Sequence, residues 1–410
     1  VKLSIIGAGK LGLPLGGVLA EAGHEVIVTD VNDTLIEALR TGTYASVEPD
    51  LDDLLARTKL QFTTDVAGAA RDTEVSFIVV PTPSNQNDEF SNEFVLQAIA
   101  SIGEGIAGKV AEHTVVLVST VMPGASTDII IPALEAHSGR EIGVHLNYAY
   151  SPEFVALGSI IANMKSPDFL LIGEANRRAG TVLSFIYHTY LVYPQIVRVS
   201  VIDAEIAKLS INCYLTVKIS FANMISELCE AFKGASARAV CDAIGQDRRI
   251  GPDLLREGTA SAGPCLPRDL RALSRAMFVR NLPDEMVWAA NRVNKRQVQR
   301  LRGMALSFGP KKVAVLGISY KPNTFVTDAS VGLALMGSLE QRGAKVQGYD
   351  PMAVFPGQAV TIGAALAHAD VVVITTAWPE FAAIDYGETH VIDCFGIAKY
   401  GRNIHRLGFG

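Results

Sequence analysis

Two kinds of apolar pattern alternate along this chain. Val1–Ile6, Glu25–Thr29, Glu74–Val80, Thr114–Ser119 and Leu146–Ala149 are short, nearly unbroken apolar runs, as expected of strands covered on both faces. Between them lie longer stretches, Leu13–Ala22, Asn92–Ile106 and Ser126–Ala136, whose apolar residues recur at three- and four-residue steps and predict helices. Strand–helix alternation of this kind predicts a mostly parallel, doubly wound sheet. From Val201 to about Lys233 there is no proline or glycine, and Ala207, Ile211, Tyr214, Lys218, Phe221, Ile225 and Leu228 keep helical spacing. One long helix is expected there, with Asp203 as its N-cap. Helices over Ala235–Ile244, Asp269–Val279 and Asp284–Leu306 should follow.

The opening pattern then returns. Lys312–Gly317 echoes Lys2–Gly7, Gly343–Asp350 echoes Gly23–Asp30, and Val371–Thr375 and Val391–Ile392 read as further strands. The expected fold is α/β: two Rossmann-like doubly wound domains joined by a long central helix and a small helical domain. The expected divisions are 1–198, 199–300 and 301–410.

Composition narrows the class. With 410 residues, 49% hydrophobic and 19% charged, the chain should form more than one packed core, and a formal net charge of −6 argues against a nucleic-acid partner. Cys213, Cys229, Cys241, Cys265 and Cys394 are odd in number and lack ligand spacing, so neither a disulfide framework nor a metal site is expected. The first residue already opens a strand, and no apolar run approaches a membrane span of about 18 residues. A soluble, cytoplasmic protein is expected.

The chemistry starts at Gly7-Ala8-Gly9-Lys10-Leu11-Gly12, which sits between a strand and a helix and is followed by a strand ending at Asp30. Gly7 permits the tight turn, Gly9 lets the backbone approach a pyrophosphate, and Gly12 permits close helix–strand packing. Asp30 suits ribose hydroxyls and repels a 2′-phosphate, so NAD is the expected cofactor. Ligands of such sheets lie off the carboxyl ends of the strands. Pro81, Thr82, Pro83, Ser119, Thr120 and the stretch around Glu153 should therefore share that crevice. In the repeat the glycine loop is replaced by Ile318-Ser319-Tyr320-Lys321-Pro322, a second nucleotide grip built around a lysine. A separate loop, Ser261–Asp269, holds Cys265 between Pro264 and Pro267. A thiol attacks as thiolate, from a free pKa of about 8.5 that a nearby cation or a helix N-terminus lowers. Arg268 and a helix starting near Pro267 offer both.

In order, these motifs resemble the UDP-glucose/GDP-mannose dehydrogenase family, from Val1 to about Asp350. The matching segments are Ser119–Gly124, Ser151–Phe154, Lys208 with Asn212, Ala222-Asn223, Asp247 with Arg249–Gly251, the cysteine loop, and Tyr320–Pro322. The resemblance implies oxidation of a nucleotide-sugar C6 alcohol to a carboxylate with NAD, through a thioester on Cys265. It implies that Lys208 and Asn212 hold an oxyanion, that Asp269 and Thr120 position Lys208 and a water, and that Glu153 is the base for hydrolysis. Lys10, Leu11 and Arg268 join the cofactor set; Phe154, Val155, Ser261, Gly263, Tyr320 and Lys321 join the substrate set. Arg249 is implied to complete the partner's sugar site in a homodimer. The implied substrate is a UDP- or GDP-linked hexose, and wording such as His113–Val116 and Cys265–Leu273 leans toward the GDP-mannose branch.

Several positions depart from the family. Leu157 stands where it has a second glutamate, Asp328 where it has an arginine, and Ala260, Ser261 and Ala262 where it has glycine, an aromatic and glycine. Two further readings stay open: a two-electron β-hydroxyacid-type dehydrogenase, which needs neither cysteine loop nor third domain, and a catalytically altered nucleotide-sugar-binding protein.

Overall fold

The computed structural model describes residues Val1–Gly410. The chain forms two compact units, Val1–Leu209 and Ser210–Gly410, with the division inside the long helix.

The first unit is built on one sheet. Its strands are β1 (Lys2–Ile6), β2 (Glu25–Thr29), β3 (Leu60–Thr63), β4 (Val75–Ile78), β5 (His113–Leu117), β6 (Glu141–Ile142), β7 (His145–Tyr150), β8 (Leu170–Glu174) and β9 (Ile196–Ser200). Their order is β3-β2-β1-β4-β5-β7-β8-β9, with β6 beside β7. All pairs are parallel except β7 with β8. Successive side chains of a strand face opposite sides of the sheet. Leu3, Ile5 and Val116 therefore join one apolar layer, and Ile6, Val115 and Leu117 join the other. That double cover explains why the inner strands read as unbroken apolar runs. The edge strands do not: β3 and β9 are mostly half-exposed or exposed, so they lack the apolar signal, and only the structure reveals them.

The second unit holds a five-stranded parallel sheet: β10 (Lys312–Leu316), β11 (Lys345–Tyr349), β12 (Val371–Ile374), β13 (His390–Asp393) and β14 (Asn403–Arg406), in the order β11-β10-β12-β13-β14. Leu301 and Ala305 of the helix Glu285–Ser307 pack into the same core as Val313 and Val315. Ala260 of the cysteine loop joins them. The central helices and the C-terminal sheet are thus one packed body.

The long helix runs from Val201 to Glu230. Its start differs from the expectation at Asp203. The cap is Ser200, whose hydroxyl accepts the Asp203 N–H at 3.2 Å and donates to the Asp203 carboxylate at 2.6 Å. Asp203 lies in the first turn instead, where a carboxylate also favours the helix dipole. The helix expected from Ser126 opens with one wide π-type turn, Ser126–Ile130, before continuing as Ile131–Ser138. Pro132 sits at the first α-helical positions, directly after this wide turn.

Candidate active site

The glycine loop of the first unit fits a dinucleotide. A methyl group at Gly12 would fall 1.9 Å from the Gly7 carbonyl oxygen, whereas at Gly9 it would meet nothing within 4 Å. Gly12 is therefore glycine for packing, and Gly9 leaves open backbone that a pyrophosphate can approach. Asp30 braces this loop from β2: its carboxylate accepts the Ala8 N–H at 2.9 Å and the Asn32 N–H at 3.0 Å. Lys10 is exposed, and Leu11 packs against the core beneath the loop.

The neighbouring strand ends are tied together. The Ser119 hydroxyl accepts the Val80 N–H at 2.9 Å and donates to the Val80 carbonyl at 2.7 Å. Thr82 donates to the Thr120 carbonyl at 2.7 Å. The segments Pro81–Pro83 and Ser119–Thr120 thus form one rim at the carboxyl ends of β4 and β5.

Beyond β7, Glu153 and Phe154 meet Lys208 of the long helix. The Lys208 ammonium donates to the Glu153 carbonyl at 2.7 Å and lies 4.6 Å from the centre of the Phe154 ring, which packs against Phe169 with centroids 5.0 Å apart and a 32° tilt. Burial pushes the Glu153 carboxyl up to about 7, against the opposing pull of the Lys208 charge. A carboxyl so placed is poised to exchange a proton near neutrality. Val155 and Leu157 pack on the apolar core instead. The loop is held at its far end by Glu48, whose two oxygens accept the N–H groups of Gly158 and Ile160, each at 2.7 Å.

In the second unit Cys265 is exposed and in no disulfide, and it stands at the N-cap of the helix Leu266–Phe278. One turn on, Asp269 is fully buried. Its carboxylate accepts the Asn212 amide at 2.5 Å on one oxygen, and the Arg268 guanidinium on the other, with Nε and Nη2 each at 3.0 Å. Asp269 therefore fixes Asn212, and it balances the Arg268 charge that the sequence offered to the thiol. The loop before Cys265 is pinned from several sides. Asn223 accepts the Gly258 N–H at 3.0 Å and donates to the Thr259 carbonyl at 3.1 Å. Asn294 accepts the Ser261 N–H at 3.2 Å and donates to its hydroxyl at 2.8 Å. Gly263, at φ +88°, donates to the Asp328 carbonyl at 3.0 Å and lies on the Tyr320 ring, 2.6 Å from where a methyl would sit. Ser261 is thus spent on the helix Glu285–Ser307 rather than standing as an unsatisfied gap.

Lys321 reaches over the Tyr320 ring at 5.9 Å. Asp350, the repeat's counterpart of Asp30, is used up internally. It accepts the N–H groups of Ile318, Ser319, Met352 and Ala353, the Ser319 hydroxyl and the Trp378 indole. Arg249 is almost wholly exposed, forked onto Asp247 at 2.6 to 3.2 Å.

Each unit gathers its own set of these residues: Gly7–Gly12, Asp30, Pro81–Pro83, Ser119, Thr120, Glu153–Val155 and Lys208 in the first; Asn212, Ser261, Gly263, Cys265, Arg268, Asp269, Tyr320 and Lys321 in the second. Lys208 and Asn212 stand one turn apart on a single continuous helix. Sequence reasoning missed Glu205. It is fully buried one turn before Lys208, and it accepts the N–H groups of Gly124 at 2.6 Å and Ser126 at 3.0 Å. Burial pushes its carboxyl above the ordinary value despite those bonds. The available signal was an acid inside an apolar helical pattern, three residues from a lysine.

Comparison with known proteins identifies the family. Three consecutive family descriptions match: the UDP-glucose/GDP-mannose dehydrogenase family NAD binding domain over residues 1–191, the central domain over 202–296, and the UDP binding domain over 314–399. The chain is 34% identical over 402 residues to the UDP-glucose 6-dehydrogenase AglM of Haloferax volcanii, covering 94% of this chain and 93% of that one. It is also 34% identical over 330 residues to a GDP-mannose 6-dehydrogenase of Pseudomonas syringae pv. syringae, covering 79% and 75%. The UDP-glucose dehydrogenase structure from Pyrobaculum islandicum superposes with a TM-score of 0.93 at 30% identity, covering 100% of this chain and 98% of that chain. With the NAD loop and the cysteine loop both in place, the chain belongs to the UDP-glucose/GDP-mannose dehydrogenase family and is an NAD-dependent oxidoreductase of nucleotide sugars.

Proposed function

We propose that this enzyme oxidises the C6 primary alcohol of a UDP- or GDP-linked hexose to the carboxylate in two successive two-electron steps, with Cys265 as the covalent nucleophile. The observation that carries this reading is Cys265 exposed at a helix N-terminus, with Asp269 one turn behind it holding Asn212. Gly7, Gly9, Lys10, Leu11, Gly12, Asp30, Pro81–Pro83, Ser119, Thr120 and Arg268 hold the cofactor. Bound NAD supplies the hydride acceptor for each oxidation.

The protein's own groups do the rest. Lys208 and Asn212 donate to the C6 oxygen as its negative charge grows, a stabilisation that depends on donors already fixed in place. The Cys265 thiolate adds to the aldehyde carbon, forming the C–S bond of a thiohemiacetal, and the second oxidation leaves a thioester. Glu153 takes a proton from water as that water attacks the thioester carbon. The C–S bond breaks, returning the thiolate and releasing the acid. Thr120 helps hold the water. Phe154, Val155, Ser261, Gly263, Tyr320 and Lys321 wall the sugar and diphosphate, with Lys321 as a point charge for phosphate. Asp350 is saturated internally, so in this reading the nucleotide at the second sheet depends on Lys321 and backbone groups rather than on an acid.

The enzyme acts as a homodimer in this reading. Tyr214, Phe221 and Leu228 recur every seventh residue on the long helix and are 59%, 42% and 55% exposed, a single apolar stripe suited to a two-fold mate. Arg249 projects from the surface to complete the mate's sugar site. No helix is long and apolar enough to cross a membrane, and no cysteine is in a disulfide, which suits the cytoplasm. Residues 1–198, 199–300 and 301–410 serve as cofactor, central and nucleotide-sugar domains.

The test is NADH formation against a panel of UDP- and GDP-hexoses. The accepted substrate should yield two NADH per acid, and Cys265→Ala should form no acid. One NADH per product, with an aldehyde or ketone accumulating in the unaltered enzyme, overturns the four-electron reading.

A further inference from the structure

We propose that Glu205 is a positioning residue for the cofactor crevice, fastening the loop Ser119–Gly124 to the helix that carries Lys208. The inference rests on the reading that this loop borders the cofactor and that Lys208 serves the reacting oxygen.

The carboxylate of Glu205 is completely buried, and a buried charge persists only where it is paired or fully hydrogen-bonded. Its two oxygens accept backbone N–H groups two residues apart within one turn, Gly124 at 2.6 Å and Ser126 at 3.0 Å. These N–H groups lie at the opening of the helical stretch Ser126–Ser138, where donors lack partners within their own helix. A residue from another element, 81 positions away in sequence, supplies the cap.

Two observations make this more than a cap. First, the clamped loop is the one that shapes the cofactor rim. Ser119 binds Val80 through both its hydrogen-bonding roles, and Thr82 binds the Thr120 carbonyl. Fixing Gly124 therefore fixes the rim formed by the ends of β4 and β5. Second, Glu205 and Lys208 are three residues apart on one helix, so they lie on neighbouring faces of adjacent turns. Lys208 reaches the Glu153 carbonyl at 2.7 Å while Glu205 reaches Gly124. One helix segment thereby sets the spacing between the cofactor rim and the group that meets the substrate oxygen.

Glu205→Gln tests this, because it keeps the volume but can offer only one acceptor and sets an NH2 group against the remaining N–H. Loss of a charged hydrogen bond predicts a rise of roughly tenfold or more in the NAD dissociation constant and KM. The nucleotide-sugar KM should stay within about twofold, since the cap touches only the cofactor rim. Amide exchange in the segment 119–130 should speed up in the same variant. If the glutamine chain fails to fold, Glu205→Asp keeps the charge, shortens the reach, and should show the same split. Unchanged NAD affinity in the folded variant, whatever its melting temperature, overturns the proposal. Lys208→Ala separates it from the wider reading: turnover should fall while NAD affinity holds. If Lys208→Ala retains full turnover, the role of Lys208 fails, while a loss of NAD affinity in Glu205→Gln still supports the clamp.

Discussion

Asp269→Asn is the most direct probe of how the cysteine loop is held. The carboxylate is fully buried and accepts three N–H groups, two from Arg268 at 3.0 Å and one from Asn212 at 2.5 Å. An amide in its place keeps one acceptor oxygen. If that oxygen stays on Arg268, an NH2 group faces the Asn212 amide, donor against donor. If it turns to Asn212, the guanidinium loses its counter-charge. A hydrogen bond to a charged group contributes about 1.5–3 kcal/mol and a neutral one about 0.5–1.5. Three weakened bonds therefore sum to roughly 3 kcal/mol, near the low end of the ~3–5 kcal/mol lost when a buried ion pair is broken. The Arg268 side chain is 27% exposed, so water recovers part of that, and about 2 kcal/mol is the expected loss. Urea denaturation reads it as a lowered midpoint at constant m-value. Turnover should fall further than stability explains, because Asn212 can relieve the clash by rotating its amide away from its present orientation. A variant within about 0.5 kcal/mol of the parent and with unchanged kcat would refute the view that Asp269 sets Asn212.

Three further outcomes are expected. Gly263→Ala forces φ +88° on a residue with a side chain and sets its methyl 2.6 Å from the Tyr320 ring, which should cost about 2 kcal/mol. Adding Tyr320→Ala should return part of that stability, and no recovery would mean the ring contact is not the cause. The hydrolytic step should rise with pH through about 7, where Glu153 becomes ionised, and Glu153→Gln should flatten that rise; an unchanged profile removes Glu153 as the base. The stability effect has the opposite sense. A carboxyl raised from 4.5 to about 7 in the folded chain contributes stability that is complete below 4.5 and lost as pH climbs through about 7. Glu153→Gln should therefore gain on the parent in melting temperature as pH rises.

The sequence alone determined the elements whose chemistry is local. Inner strands read as unbroken apolar runs because both faces of each sheet are covered, and the glycine loop is legible because Gly12 packs where no side chain fits. The thiol at Cys265 was visible from its loop, and the family resemblance supplied Lys208, Asn212, Glu153 and Asp269 as a set. Tertiary structure decided what each of these side chains touches. Edge strands β3 and β9 carry no pattern because solvent takes one side of their pairing. Asp350 repeats the position of Asp30, yet Ile318, Ser319, Met352, Ala353 and Trp378 consume its carboxylate, and spacing cannot report which donors arrive. Arg268 was legible as a cation near the thiol, but its pairing with the buried carboxylate of Asp269 was not. Glu48 was silent in sequence, and Glu205 showed only as an acid in an apolar helical pattern, because each acts on backbone N–H groups far along the chain. Such groups belong to every residue, so no residue type marks where a carboxylate will be needed until the chain has folded onto it.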